Sequence, residues 1–146
     1  MSEHQRSRMP EQFRLGCPSI DTQHELIFAM YHELLRSQQQ GEDSYELEFV
    51  FLSLNSYAGT HFRHEEEFMR SCGFPGTESH IREHRSLALQ VGQLRGRFVL
   101  AGSLEEKRAI AGEVAVFLLG WLEHHISVVD RELCDYLLEH HIQSPE

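Results

Sequence analysis

The sequence predicts an all-α protein: an up-down-up-down antiparallel four-helix bundle preceded by an extended N-terminal arm. Three observations carry that expectation. Apolar residues recur at spacings of three and four along four long segments. Clusters such as "CGFPG" at 72–76 and "LAGS" at 100–103 punctuate the pattern, and alternating strand-like runs are absent. The 146 residues suffice for one domain with a single core.

Residues 1–18 are polar, carry Pro10, Gly16 and Pro18, and read as the arm; residues 19–142 read as the bundle. The first helix should run from about Ser19 to Gln39, with Ile20, His24, Ile27, Tyr31, Leu34 and Leu35 inward and Gly41 as its stop. The second opens at Asp43, where Glu46 completes a capping box. Its stripe is Leu47, Val50, Phe51, Leu54, Ala58, His61, Glu65, Phe68 and Met69. The third starts near Thr77 and turns His80, His84, Leu87, Val91, Leu94 and Phe98 inward, with Gly102 ending it. Ser103 and Glu106 form a capping box for the fourth. Ile110, Val114, Leu118, Trp121, His125, Val128, Leu133 and Leu137 make this helix long, and Gly112 or Gly120 would be the place for a bend.

Composition excludes several function classes. Apolar residues are 40% and charged residues 25%, the balance of an ordinary globular domain. No apolar run of membrane-spanning length and no signal-peptide pattern is evident, so a cytoplasmic location without membrane insertion is expected. Thirteen basic against 23 acidic residues leave a charge of −10, which argues against nucleic acid or an anionic membrane as partner. Cys17, Cys72 and Cys134 form no C-x-x-C and read as free thiols in a reducing compartment, filling small core or surface positions.

Each apolar stripe is interrupted at a similar depth by histidine or carboxylate. His24 comes early in the first helix, His61 and Glu65 late in the second, His80 and His84 early in the third, and His125 and Asp130 late in the fourth. Antiparallel order brings all seven to one end. Periodicity alone does not choose between His124 and His125. A buried carboxylate costs several kcal/mol, on the order of the whole margin of a small domain, unless it is paired or bound to a cation. Imidazole with carboxylate suits iron, manganese or zinc, whereas calcium takes oxygen donors. His61/Glu65 and His80/His84 are i,i+4 pairs, so both members reach one point. Seven donors exceed one tetrahedral ion, and a dinuclear site uses them all. Neither Glu-x-x-His of the ferritin-like di-iron proteins nor H-E-x-x-H of zinc proteases occurs.

"IDTQHELIF" at 20–28, "HFRHEEEFM" at 61–69, "HIREH" at 80–84 and "WLEHHISVVD" at 121–130 resemble the four helix signatures of hemerythrins, and more narrowly the single-domain bacteriohemerythrins, over roughly residues 13–138. The resemblance implies two non-haem iron ions. His24 and His61 would hold one, and His80, His84 and His125 the other, with Glu65, Asp130 and an oxo or hydroxo group as bridges. The family register selects His125 over His124. It also implies reversible dioxygen binding at the iron with two histidines, for storage, delivery or sensing rather than catalysis, with nitric oxide as a second ligand to consider. The competing reading is a di-iron redox enzyme acting on ferrous iron, peroxide or nitric oxide. Ile27, Trp121, Leu122 and Ile126 match the family's apolar pocket lining. Departures are a longer stretch between His84 and His125 than in the animal carriers, which suggests extended helices and a longer turn; Phe13 in place of an arm tryptophan; and Cys17 at a usually aliphatic position.

The remaining polar residues have plainer expectations. His64, Glu66 and Glu67 lie off the stripe and are expected at the surface, so Glu65→Ala should lose iron while Glu66→Ala and Glu67→Ala keep it. His4, His32, His140 and His141 should face solvent or lie at a terminus, the last two complementing a helix C-terminus. Asp21 is either a first-turn helix acid or a partner orienting His24. Tyr31 and Tyr57 fit core positions whose hydroxyls reach a polar partner.

Overall fold

The computed structural model describes residues 9–40 and 44–143. Four helices occupy nearly all of them: α1 (Pro18–Gln40), α2 (Ser44–Cys72), α3 (Thr77–Leu100) and α4 (Leu104–Glu139). The described residues contain no strand. α1 packs on α2 and α4, α3 packs on α2 and α4, and α2 meets α4 across the middle, as in an antiparallel four-helix bundle. Ile20, Phe28, Leu34, Leu47, Met69, Phe98, Leu122, Leu133 and Leu137 form its buried spine, each side chain contributing about 1.5–3 kcal/mol of burial. Gly41, Asp43 and the Glu46 side chain, on which the expected stop and second capping box rest, lie outside the described part, as does His4.

Helix ends follow local chemistry. Pro18 is the first helical residue of α1, where its missing N–H costs nothing. Beyond α2, Gly73 takes φ +69°, the Phe74 N–H donates to the Met69 carbonyl and the Gly73 N–H to that of Arg70, a Schellman closure. The same pair of bonds ends α4, with His141 in the left-handed conformation at φ +57°. His140 is exposed, and its Nδ1 lies 2.9 Å from the Tyr136 carbonyl in that last turn. Ser103 Oγ accepts the Glu106 N–H at 3.1 Å, while the Glu106 carboxylate accepts the Gly102 N–H, so the N-cap bond of the box forms and its return bond falls one residue early. The α3–α4 connection is only residues 101–103; the extra length between His84 and His125 goes into helix and not into a longer turn.

Two features differ from the sequence expectation. Residues 9–17 are not simply extended: Glu11–Phe13 is a 3₁₀ turn, and Met9, Phe13, Leu15 and Cys17 are buried, with Phe13 stacked 5.5 Å from Phe28. Asp21 holds this segment down, accepting the Leu15 and Gly16 N–H groups at 2.8 and 3.1 Å. Its carboxylate is thus used on the arm rather than on a bond to His24. The second feature is α4, which runs as α-helix through Gly112 and Gly120 and becomes π-helical over His125–Asp130. Val128, expected inward, is 54% exposed there, while Ile126 is fully buried. One turn of i→i+5 bonding re-phases the helix and pushes the extra residue outward. α4 is also long and apolar enough to cross a membrane by length and composition, with a mean hydropathy of 1.2 over its best 18 residues. Its apolar side, including Ile110, Val114, Leu118 and Leu122, is buried in the bundle.

Candidate metal centre

All seven candidate donors meet at one end of the bundle, and all are buried: His24, His61, Glu65, His80, His84, His125 and Asp130. Each helix supplies its share for a local reason. On α2 and α3 the i,i+4 pairs project from one face. On α4 His125 and Asp130 are five apart, and in a regular α-helix that separation turns them about 140° from each other. The π turn places them over one another. His124, one residue earlier, has a side chain 58% exposed, whereas that of His125 is 3% exposed.

The two carboxylates divide their oxygens between two sets of histidines. Glu65 Oε1 lies 2.8 Å from His80 Nε2 and 3.2 Å from His84 Nε2, while its Oε2 lies 3.7 Å from His61 Nε2. Asp130 Oδ1 lies 3.0 Å from His80 Nε2 and 3.1 Å from His125 Nε2, while its Oδ2 lies 2.7 Å from His24 Nε2. Every histidine therefore presents Nε2 to the carboxylates. Three imidazoles share one oxygen from each acid, and two imidazoles face the other oxygens.

Charge in the cluster is self-compensating. Burial opposes ionisation of Glu65 and Asp130, yet the surrounding imidazoles hold both well below the ordinary carboxylate range. Burial also opposes charging His80, but Asp130 and Glu65 push it up to about 10. His24 is raised in the same way, burial being outweighed by its bond to Asp130, whereas burial leaves His61 lowered.

Hydrogen bonding does not complete this arrangement. Both oxygens of Glu65, both nitrogens of His80 and His125, Nε2 of His84 and Oδ1 of Asp130 are buried without a hydrogen bond. Several of these atoms lie near 3 Å from one another yet lack donor–acceptor alignment. They converge on shared points instead of pointing at each other, as the ligands of a cation do. One donor atom from each of Glu65, His80, His84 and His125 lies within 4.8 Å of the others. The residues present fit a non-haem metal centre.

Aromatic rings brace the imidazoles. Phe62 stacks on His84 with centroids 3.9 Å apart and planes 8° from parallel, and Trp121 stacks on His125 at 4.1 Å and 14°. Phe62 and Trp121 also border a cavity of about 80 Å³ lined by residues of all four helices. Ile27, Trp121 and Leu122 line it together with Phe62, Leu118 and Val91; Ile126 is buried but is not part of this lining. No acidic or basic side chain lines it.

The outer residues need one correction. His64 and Glu67 are exposed as expected, but Glu66 is not left to water. Its side chain is 18% exposed, and Oε2 lies 2.8 Å from His84 Nδ1. Helical periodicity identified the face of α2 toward the core, and Glu66 lies on the flank that α3 covers. Glu83 was likewise not singled out in the sequence; its Oε1 is 3.7 Å from His125 Nδ1. His32 is half-buried rather than fully solvent-facing. Tyr31 is buried, and Tyr57 is half-buried with its hydroxyl 3.5 Å from the Gln23 carbonyl. Cys17 and Cys134 are buried free thiols, and burial raises that of Cys134.

A four-helix bundle that encloses five imidazoles and two carboxylates at one end, with donors drawn from all four helices, is a non-haem metal-binding bundle. Residues 17–137 match the family model described as the hemerythrin HHE cation binding domain, and the chain belongs to the hemerythrin family. Its relatives include the bacteriohemerythrin of Clostridium acetobutylicum, 27% identical over 86% of this chain and 96% of that protein. The bacteriohemerythrin of Stenotrophomonas maltophilia is 28% identical over 89% and 80% of the two chains. That of Methylococcus capsulatus is 31% identical over 76% and 80%.

Proposed function

We propose that the protein binds dioxygen reversibly at a di-iron centre and serves oxygen storage, delivery or sensing. The observation that carries this reading is a histidine-rich cluster, with carboxylate oxygens divided between two sets of donors, set against an apolar cavity. His24 and His61 would hold one iron, His80, His84 and His125 the other, and Glu65 and Asp130 would bridge them. When bound, the iron pair supplies a two-electron reductant for dioxygen and an open coordination position. The chain's part is to hold the donors, exclude water and withhold protons. Phe62 and Trp121 pin the rings of His84 and His125, while Ile27, Leu118 and Leu122 keep the adjoining space apolar. A lining without an acid offers no proton donor to that space, which favours reversal over turnover.

Anaerobic loading of the metal-free protein with ferrous iron, followed by a metal count and cycles of air and vacuum under visible spectroscopy, tests the reading. About two irons per chain and a band that appears and disappears with oxygen are expected. One-way oxidation with peroxide released or consumed would assign the centre to redox catalysis instead. Saturation at a single iron would remove the dinuclear arrangement.

A further inference from the structure

The outward-facing Nδ1 atoms of the five histidines are treated unequally. His84 Nδ1 meets Glu66 at 2.8 Å, and His125 Nδ1 has Glu83 at 3.7 Å. Nδ1 of His24, His61, His80 and His125 is buried without a hydrogen bond, so Glu83 stands near His125 without bonding it. Both outer carboxylates therefore lie on the three-histidine half, and the His24/His61 half has neither. Glu66 is also the tighter of the two contacts, reaching from α2 across the seam to α3.

A carboxylate at Nδ1 fixes the imidazole with its proton on that nitrogen and leaves Nε2 as a lone pair aimed inward. It also makes the ring more basic toward a cation. Phe62, stacked at 3.9 Å on the same ring, blocks the rotation that would undo this. His84 is thus set for coordination before any metal arrives. His61 has no such bond; the Tyr57 ring lies parallel to it but 6.2 Å away.

We propose that Glu66 is a positioning residue that makes the His80/His84/His125 half the tighter, first-filled of two metal sites. The proposal rests on the dinuclear reading. An outer carboxylate of this kind is worth about 10–100-fold in metal affinity, and here it acts on one half only. Filling would then be ordered, the three-histidine half binding its ion while the His24/His61 half waits for a second.

The test is an anaerobic titration of the metal-free protein with cobalt(II), followed by its visible spectrum and by calorimetry, for the wild type, Glu66→Ala, Glu66→Gln and Glu67→Ala. Circular dichroism of each variant reports folding. Two resolved steps are expected in the wild type. Glu66→Ala should weaken the first by about 10–100-fold and leave the second near its wild-type value. Glu66→Gln, whose amide oxygen still accepts from Nδ1 but carries no charge, should fall between the two, and Glu67→Ala should match the wild type. Equal weakening of both steps in Glu66→Ala and Glu66→Gln, or an unchanged first step, would overturn the role of Glu66 while leaving the dinuclear reading intact. Saturation of the wild type at one ion would overturn the dinuclear reading, and the filling order with it.

Discussion

Glu65 and Glu67 are two residues apart on α2 and meet opposite surroundings, one 2% exposed among imidazoles and the other in water. Glu65→Ala should bind less than half the wild-type iron, since each half of the cluster loses an oxygen. Glu67→Ala should keep the wild-type count, and metal analysis of the purified variants distinguishes the two. Without metal, Glu65→Ala should also lower stability, by less than the about 3–5 kcal/mol of a fully broken buried pair, because His80 loses one of two buried counter-charges and keeps Asp130; denaturant unfolding reads this. The difference between Glu65 and Glu67 was legible from the apolar stripe of a single helix. That Glu66 meets His84 was not, because the stripe marks only the direction of the core and a flanking residue's fate depends on the neighbouring helix. His124 and His125 were equally ambiguous by periodicity. The resemblance favoured His125, and the fold buries it.

At the scale of elements, the helix starts and stops that rest on local chemistry, such as Ser103 with Glu106 and Gly73 after α2, follow the sequence closely. The π turn of α4 does not, because residues 125–130 have no Gly or Pro to announce it. The i,i+5 spacing of His125 and Asp130 was its one trace, meaningful only if both must face the same point. A π turn is one residue more than an α turn, and Val128 is the member pushed into solvent. Deleting Val128 should therefore convert the turn to regular α-helix, leave Asp130, Leu133 and Leu137 inward, and preserve the metal count. Deleting Val116, 76% exposed in regular α-helix, should rotate everything beyond it by about 100° and abolish metal binding. Metal content and thermal midpoint of the two deletions check this; equal damage in both would refute it. The arm is likewise an element whose packing the sequence underdetermined. Its polar composition read as extended chain, whereas Phe13, Leu15 and the Asp21 clamp seat it on the bundle.

For the molecule as a whole, the balance of charge at the cluster predicts how stability depends on pH when metal is absent. Glu65 and Asp130 are depressed from ordinary values of 4.5 and 3.8, so their contribution is present above that range and lost as pH falls. His80 is raised from 6.5 to about 10, so its contribution is complete below 6.5 and lost as pH rises through 10. His24 has the sign of His80, and His61, being lowered, has the opposite sign. The metal-free bundle should be most stable between about pH 4.5 and 6.5, with its thermal midpoint falling toward pH 10. Bound metal holds the imidazoles unprotonated and should remove that alkaline fall. Thermal scans of both forms from pH 4 to 10 test this, and an alkaline limb that is flat without metal would contradict it. The sequence by itself determined four amphipathic helices and the placing of seven candidate donors at one end, because helical period and the cost of burying charge act within each segment. The tertiary structure alone decided which carboxylate oxygen faces which imidazole, that Glu66 crosses to His84, and how α4 is re-phased. Those depend on the lateral fit of one helix against another, which no single helix's periodicity encodes.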